Sequence, residues 1–162
     1  MKRAIPAVLL SLVLSFCAVA QNVDTSIFSQ FKGNRVNLEY AYLIPGTPDI
    51  EVYGTAIVQR DCFRIEGAGL LILCDAQSVW TLDLEGKEAY VEAAGPMDYL
   101  NYLLDASWEG DDIIGSINEP ASGSIISFRL SSISTSPISG DLSAFVPAPD
   151  VFTGDWIITD LR

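Results

Sequence analysis

The stretch Arg35-Val36-Asn37-Leu38-Glu39-Tyr40-Ala41-Tyr42-Leu43-Ile44 decides the architecture. Val36, Leu38, Tyr40, Tyr42 and Ile44 recur at every second position, and Asn37 and Glu39 fall between them. Successive side chains of an extended chain point to opposite faces, so the pattern describes a strand with one apolar face. Pro45-Gly46-Thr47-Pro48-Asp49 then turns the chain. A second strand is predicted over 50–60, with Val52, Gly54, Ala56, Val58 and Arg60 on one face. One hairpin follows, joining 63–66 to 70–74 around Gly67-Ala68-Gly69, and another joins 79–84 to 87–93 at Glu85-Gly86.

On either side of this meander the period changes. Over 24–32, Asp24 can cap a short helix, Ile27, Phe28 and Phe31 share a face, and Gly33 can end it. Pro96 can open a second helix over roughly 96–105, where Leu100, Leu103 and Leu104 follow at helical spacing. Strands resume at about 111–118 and 124–133, joined through Asn118-Glu119-Pro120-Ala121-Ser122-Gly123. Residues 134–154, rich in Ser, Pro and Gly, read as irregular, and 156–161 as a final strand. This order predicts an α+β fold, one antiparallel sheet with helices on one face. The helices are open to two readings: plain cover for the core, or a lid over a cavity.

Composition bounds the chemistry. The chain has 162 residues, 9 basic against 21 acidic, and no histidine. A Ser-His-Asp triad, a Cys-His dyad and a His-ligated metal are therefore impossible within it. A net charge of −12 argues against nucleic acid, whose phosphates are bound through Lys and Arg. Residues 1–20 begin Met-Lys-Arg, continue as an apolar run, and end Ala18-Val19-Ala20. That is the form of a cleaved secretory signal peptide, so residues 21–162 are expected to be one exported, periplasmic domain. Bulky Phe16 before Cys17 argues against lipidation there.

Cys62 and Cys74 remain after such cleavage. Each lies six residues from Ala68, so a hairpin symmetric about that residue sets them opposite one another, within reach of a disulfide. A bulge would instead leave two unpaired thiols. Paired carboxylates such as Asp111-Asp112, or Asp83 with Glu85, invite a glycosidase reading. They sit near turns, where solvated loop acids are the simpler account, and no enzyme activity, cofactor or metal is expected.

The series Gly54-Thr55-Ala56-Ile57-Val58-Gln59-Arg60, then Phe63-Arg64-Ile65, then Cys74-Asp75-Ala76-Gln77-Ser78-Val79-Trp80 resembles the periplasmic outer-membrane lipoprotein carriers, the LolA/LolB-like proteins. Lys87-Glu88-Ala89-Tyr90-Val91, Gly110-Asp111-Asp112-Ile113-Ile114, 126–130 and the closing Trp156-Ile157-Ile158-Thr159-Asp160-Leu161-Arg162 extend the resemblance over most of 26–130 and the C-terminus. It departs where Ala76 replaces the usual Gly, where Arg60 and Phe63 stand one residue closer, and where 131–154 is short.

The resemblance implies an incomplete antiparallel barrel whose concave face is covered by short helices. It also implies a monomeric carrier of acyl chains, served by an inner-membrane lipoprotein-release transporter and an outer-membrane acceptor. Burying a chain of about fifteen methylenes is worth ~12 kcal/mol, which an apolar lining must match. The implied lining is Leu38, Tyr40, Tyr42, Ala56, Val58, Phe63, Ile65, Leu71, Leu73, Trp80 and Leu82, beneath Phe28, Phe31, Leu100, Leu103 and Leu104 of the lid. Arg60 is implied to fasten that lid. The competing reading is a non-catalytic envelope module that binds protein and has a fully packed core.

Overall fold

The computed structural model describes residues 26–95, 102–119 and 122–162. A short helix, α1 (Ser26–Ser29), leads into β1 (Asn34–Ile44). A meander follows: β2 (Ile50–Gln59), β3 (Cys62–Gly67), β4 (Leu70–Asp75), β5 (Ser78–Asp83) and β6 (Glu88–Ala93). After it come β7 (Leu103–Glu109), β8 (Asp112–Asn118) and the long β9 (Ile125–Pro137). The chain ends with a 3-10 turn (Ser143–Phe145), α2 (Asp150–Thr153) and β10 (Ile157–Asp160).

The ten strands of the described residues form one open sheet in the order β10-β6-β5-β4-β3-β2-β1-β9-β8-β7. Neighbours are antiparallel except β10, which runs parallel to β6. β1 therefore lies between its immediate successor β2 and the late strand β9.

The expected α+β fold, an incomplete barrel with helices over its concave face, is overturned. Among the described residues the α-helices are α1 and α2, four residues each, and they lie on opposite faces of the sheet. The helix predicted over 96–105 becomes β7 from Leu103 onward, and its residues 96–101 lie outside the described ones. Its helical spacing has a strand explanation. The register shifts between Leu103 and Asp105, so Leu103 and Ala106 both meet the core while Leu104 points out. A bulge turns a two-residue period into a three-residue one locally, which is also a helix signal.

A second bulge lies where β9 crosses β1. Ser132 and Ile133 stand opposite Leu38 alone, and Ser132 adopts a φ of 51°. Its hydroxyl donates to Glu39 at 3.0 Å.

The sheet buries its two faces in different places. On the face that we call the core face, Val36, Leu38, Tyr40 and Tyr42 of β1 join Ala56, Val58, Phe63 and Ile65. Leu103, Ile113, Ile117, Ile126, Phe128 and Leu130 continue this cluster across β7–β9, and Phe28 and Phe31 of the α1 segment pack on it. On the opposite face, over β4–β6, Leu73, Leu82 and Ala89 pack under Val151 of α2, with Leu71, Trp80 and Trp156 around them.

Residues 138–156 reach that second cluster as a strap crossing the sheet from β9 to the β6 edge. Gln59 pins its start with two bonds, donating to the Ser139 carbonyl at 2.6 Å and accepting from the Ser139 amide at 3.0 Å. Phe145, fully buried, lies against β3 and β4 beneath the Arg35 guanidinium, 5.5 Å from its ring centre. The Ile157 amide then donates to Lys87 and the Leu161 amide to Val91, closing the edge.

Candidate functional site

The meander sets which side chains meet. Ala68 and Gly69 both have positive φ, 52° and 75°, which makes the β3–β4 connection a two-residue turn. Gly67 therefore pairs with Leu70, Ile65 with Ile72 and Phe63 with Cys74. The symmetric hairpin about Ala68 is off by one residue, and a slip of one moves a strand's whole apolar set to the other face. Ile72 and Cys74 join the core face, while Leu71 and Leu73 turn to the strap face with their partners Leu82 and Trp80.

The residues implied as one lining thus divide. Phe28, Phe31, Leu38, Tyr40, Tyr42, Ala56, Val58, Phe63, Ile65 and Leu103 do share one cluster. Leu71, Leu73, Trp80 and Leu82 belong to the other. Leu104 is exposed, and Leu100 lies outside the described residues. Sequence reasoning missed Ile72, Ile113, Ile117, Ile126, Phe128 and Leu130, although alternation in 112–118 and 125–130 carries the signal for the last five.

The same register separates the cysteines. Cys62 pairs with Asp75 and Cys74 with Phe63, so the two thiols leave opposite faces and both are free. Burial pushes the Cys74 thiol up to about 11, and burial, then the nearby Asp75 and Asp61, raise that of Cys62. Both stay protonated and poorly nucleophilic near neutral pH. Iodoacetamide at pH 8 is expected to spare Cys62 and Cys74 in the folded protein and to alkylate both in urea, read by peptide mass mapping. A cross-linked Cys62–Cys74 peptide in a non-reducing digest would overturn this register.

Arg60 is not the inward strand residue its parity suggests. β2 ends at Gln59, which pairs with Cys62, and Arg60 is the exposed first residue of the turn, with a φ of 52°. With Asp61, Phe31, Lys32 and Gly33 it borders a pocket of about 120 Å³, so the turn faces the segment that joins α1 to β1. The candidate acid pairs serve local structure. Asp83 accepts the Glu85 and Gly86 amides, and Asp112 pairs with Arg129 at 2.7 Å.

Two tyrosines mark the middle of the core face. Tyr40 and Tyr42 stack with ring centres 6.2 Å apart and planes inclined by 20°. The Tyr40 ring lies over Gly54 and Gly67, paired across β2 and β3, and its hydroxyl donates to the Glu66 carbonyl at 3.1 Å. Burial raises the Tyr40 phenol well above its usual range and pushes Tyr42 up to about 12. The Tyr42 hydroxyl is buried and has no hydrogen-bond partner among the described residues.

On the strap face lies an open groove of about 730 Å³, formed by residues of β1, β2, β7, β8 and β9. Ala41, Leu43, Ile114 and Ile125 give it apolar walls, and Tyr42, Ala106 and Phe128 border it although their side chains turn to the core face. Glu51, Asp105, Ser107, Ser116, Ser127 and Arg129 give it polar ones. Arg129 is already bound to Asp112 and Glu109. Of the implied lining, this groove touches Tyr42 alone among the described residues.

No family model matches the chain, and no curated protein matches it. Among solved structures it is similar to the crystal structure of an uncharacterized conserved protein from Thermus thermophilus. The likeness covers 81% of this chain and 93% of that one, at 7% identity and a TM-score of 0.51. At that identity the likeness speaks for a shared fold and for nothing about activity.

Proposed function

We propose that the protein is an exported, non-catalytic binder of acyl chains, which lodge in the groove walled by Ala41, Leu43, Ile114 and Ile125. The observation that carries this reading is the groove itself. Its volume falls within the ~300–1,000 Å³ of small-molecule sites. Its apolar wall is supplied by Ala41, Leu43, Ile114 and Ile125 on the strap face. A hydrocarbon chain entering it exchanges water for such surface at about 0.8 kcal/mol per methylene. The basic, apolar and small-residue order of 1–20 supports export. A carrier role, with donor and acceptor proteins in two membranes, extends the same proposal.

A second reading has its own support. Ile65 and Ile113 are wholly buried and Phe63 is nearly so, as in a packed core that takes no ligand and leaves only the outer surface to a protein partner. Titration with a fluorescent fatty-acid analogue separates the two. Acyl binding predicts saturable fluorescence, displacement by unlabelled chains, and co-purifying lipid in native mass spectra. Flat titrations and lipid-free spectra would leave the packed module.

A further inference from the structure

The sheet ends on two edges of unequal character. β10 is four residues long and lies parallel to β6. β7 is seven residues long and antiparallel to β8, and no strand pairs with its outer side among the described residues. Such an edge offers backbone amides and carbonyls to an added strand, whose side chains then stand beside those of β7. The register with β8 fixes what they would meet. Asp105, Ser107 and Glu109 pair with Ser116, Ile114 and Asp112 on the strap face, while Ala106 and Trp108 pair with Gly115 and Ile113 on the core face. Trp108 remains 44% exposed. Asp105 is exposed and has no ion-pair partner among the described residues. Glu109 shares the Arg129 guanidinium with Asp112, so that end of the edge keeps a net negative charge.

We propose that β7 docks an extended segment of a protein partner as a further strand, one whose residues alternate basic, apolar, polar, apolar, basic. Side chains directly opposite one another share a face, so Lys or Arg would meet Asp105 and Glu109, and apolar residues would meet Ala106 and Trp108. The pattern reads the same in both directions and serves a parallel or an antiparallel partner. Charge also decides which partner is refused. Two copies joined edge to edge about Ser107 would set Asp105 against Glu109 twice, on chains that each carry a net charge of −12. A basic strand gains from the same two acids. The docking does not depend on the acyl-binding reading.

The test uses three labelled peptides on the full chain, read by fluorescence anisotropy: Lys-Val-Thr-Val-Lys between Gly-Ser flanks, its Glu-Val-Thr-Val-Glu counterpart, and a scrambled Lys-Lys-Thr-Val-Val. The alternating basic peptide is expected to bind about tenfold more tightly than the scrambled one and to weaken as salt is raised. It is also expected to slow amide exchange within 103–109 and not within 157–160. Asp105→Lys, at an unchanged urea midpoint, is expected to lower its affinity about tenfold and to raise that of the acidic peptide. Equal binding of the alternating and scrambled peptides would overturn the docking, because a chain this acidic attracts any cation. Protection that falls on β10 or spreads over the sheet would overturn it as well, as would an Asp105→Lys variant that binds both peptides as the parent does. An alternating peptide that fails to bind would do the same. None of these results bears on acyl binding, which the fatty-acid analogue reads separately.

Discussion

Gly54→Val is expected to destabilise the protein by about 3 kcal/mol, a fall in melting temperature of roughly 10 °C for a domain of this size. Gly54 faces Gly67 across β2 and β3, and the Tyr40 ring occupies the space that two side chains would fill. A Cβ at Gly54 would lie 2.1 Å from the Glu66 carbonyl and as close to the Tyr40 hydroxyl. Rotating Tyr40 relieves only the second contact and breaks its bond to Glu66, worth about 1 kcal/mol. The first contact is with backbone, so the strands themselves must part. Gly140→Ala is the control: a Cβ there meets nothing within 4 Å, and the change should stay within about 0.5 kcal/mol. Urea midpoints for the two variants decide the matter. A Gly54→Val midpoint equal to the parent's would mean that the tyrosine slot is not filled as described.

Phe145→Ala is expected to cost about 3–5 kcal/mol, the range for emptying a fully buried phenylalanine site. Here the loss has a location. Phe145 is the buried apolar anchor of the strap between Gln59 and α2, and it also carries the Arg35 guanidinium on its ring. Once it is gone, the strap keeps the Gln59–Ser139 pair at one end and Val151 at the other. Amides of β10, bonded to β6 through Lys87 and Val91, should then exchange with solvent faster than those of β2 and β3. Hydrogen exchange read by mass spectrometry provides the comparison. Uniform acceleration across the sheet, or none in residues 157–161, would show that the strap does not hold the edge strand.

The sequence made the strands readable wherever one face is buried and the other wet. The alternation in 35–44 and 50–59 survives in the structure almost residue for residue, because each side chain there has a fixed face. The meander also announced its turns, but not their lengths. Gly67-Ala68-Gly69 looks like a three-residue loop, yet Gly67 remains in the ladder and only Ala68 and Gly69 turn. That one residue decides the fate of Leu71, Leu73 and both cysteines. Arg60 was misplaced for a related reason: parity holds only while the strand lasts, and the chain turns at Arg60 itself. The bulge at Leu104 imitates a helix, and a one-dimensional period cannot tell the two apart. The groove was illegible because it joins residues of early and late strands through the β1–β9 pairing, which no local pattern encodes. Nor could composition reveal that the Tyr42 phenol lacks a partner among the described residues, since that is a property of three-dimensional surroundings.

The place of β1 between β2 and β9 carries a temporal consequence. As the chain emerges from the export machinery, Asn34–Ile44 finds its first neighbour almost at once and waits for its second until most of the polypeptide has followed. Throughout that interval a long strand, rich in tyrosine and leucine, presents a naked row of amides and carbonyls to whatever is near. The newborn chain is thus most prone to stick to its copies just before residues 125–137 appear, and helper proteins that sequester strands would matter most at that moment.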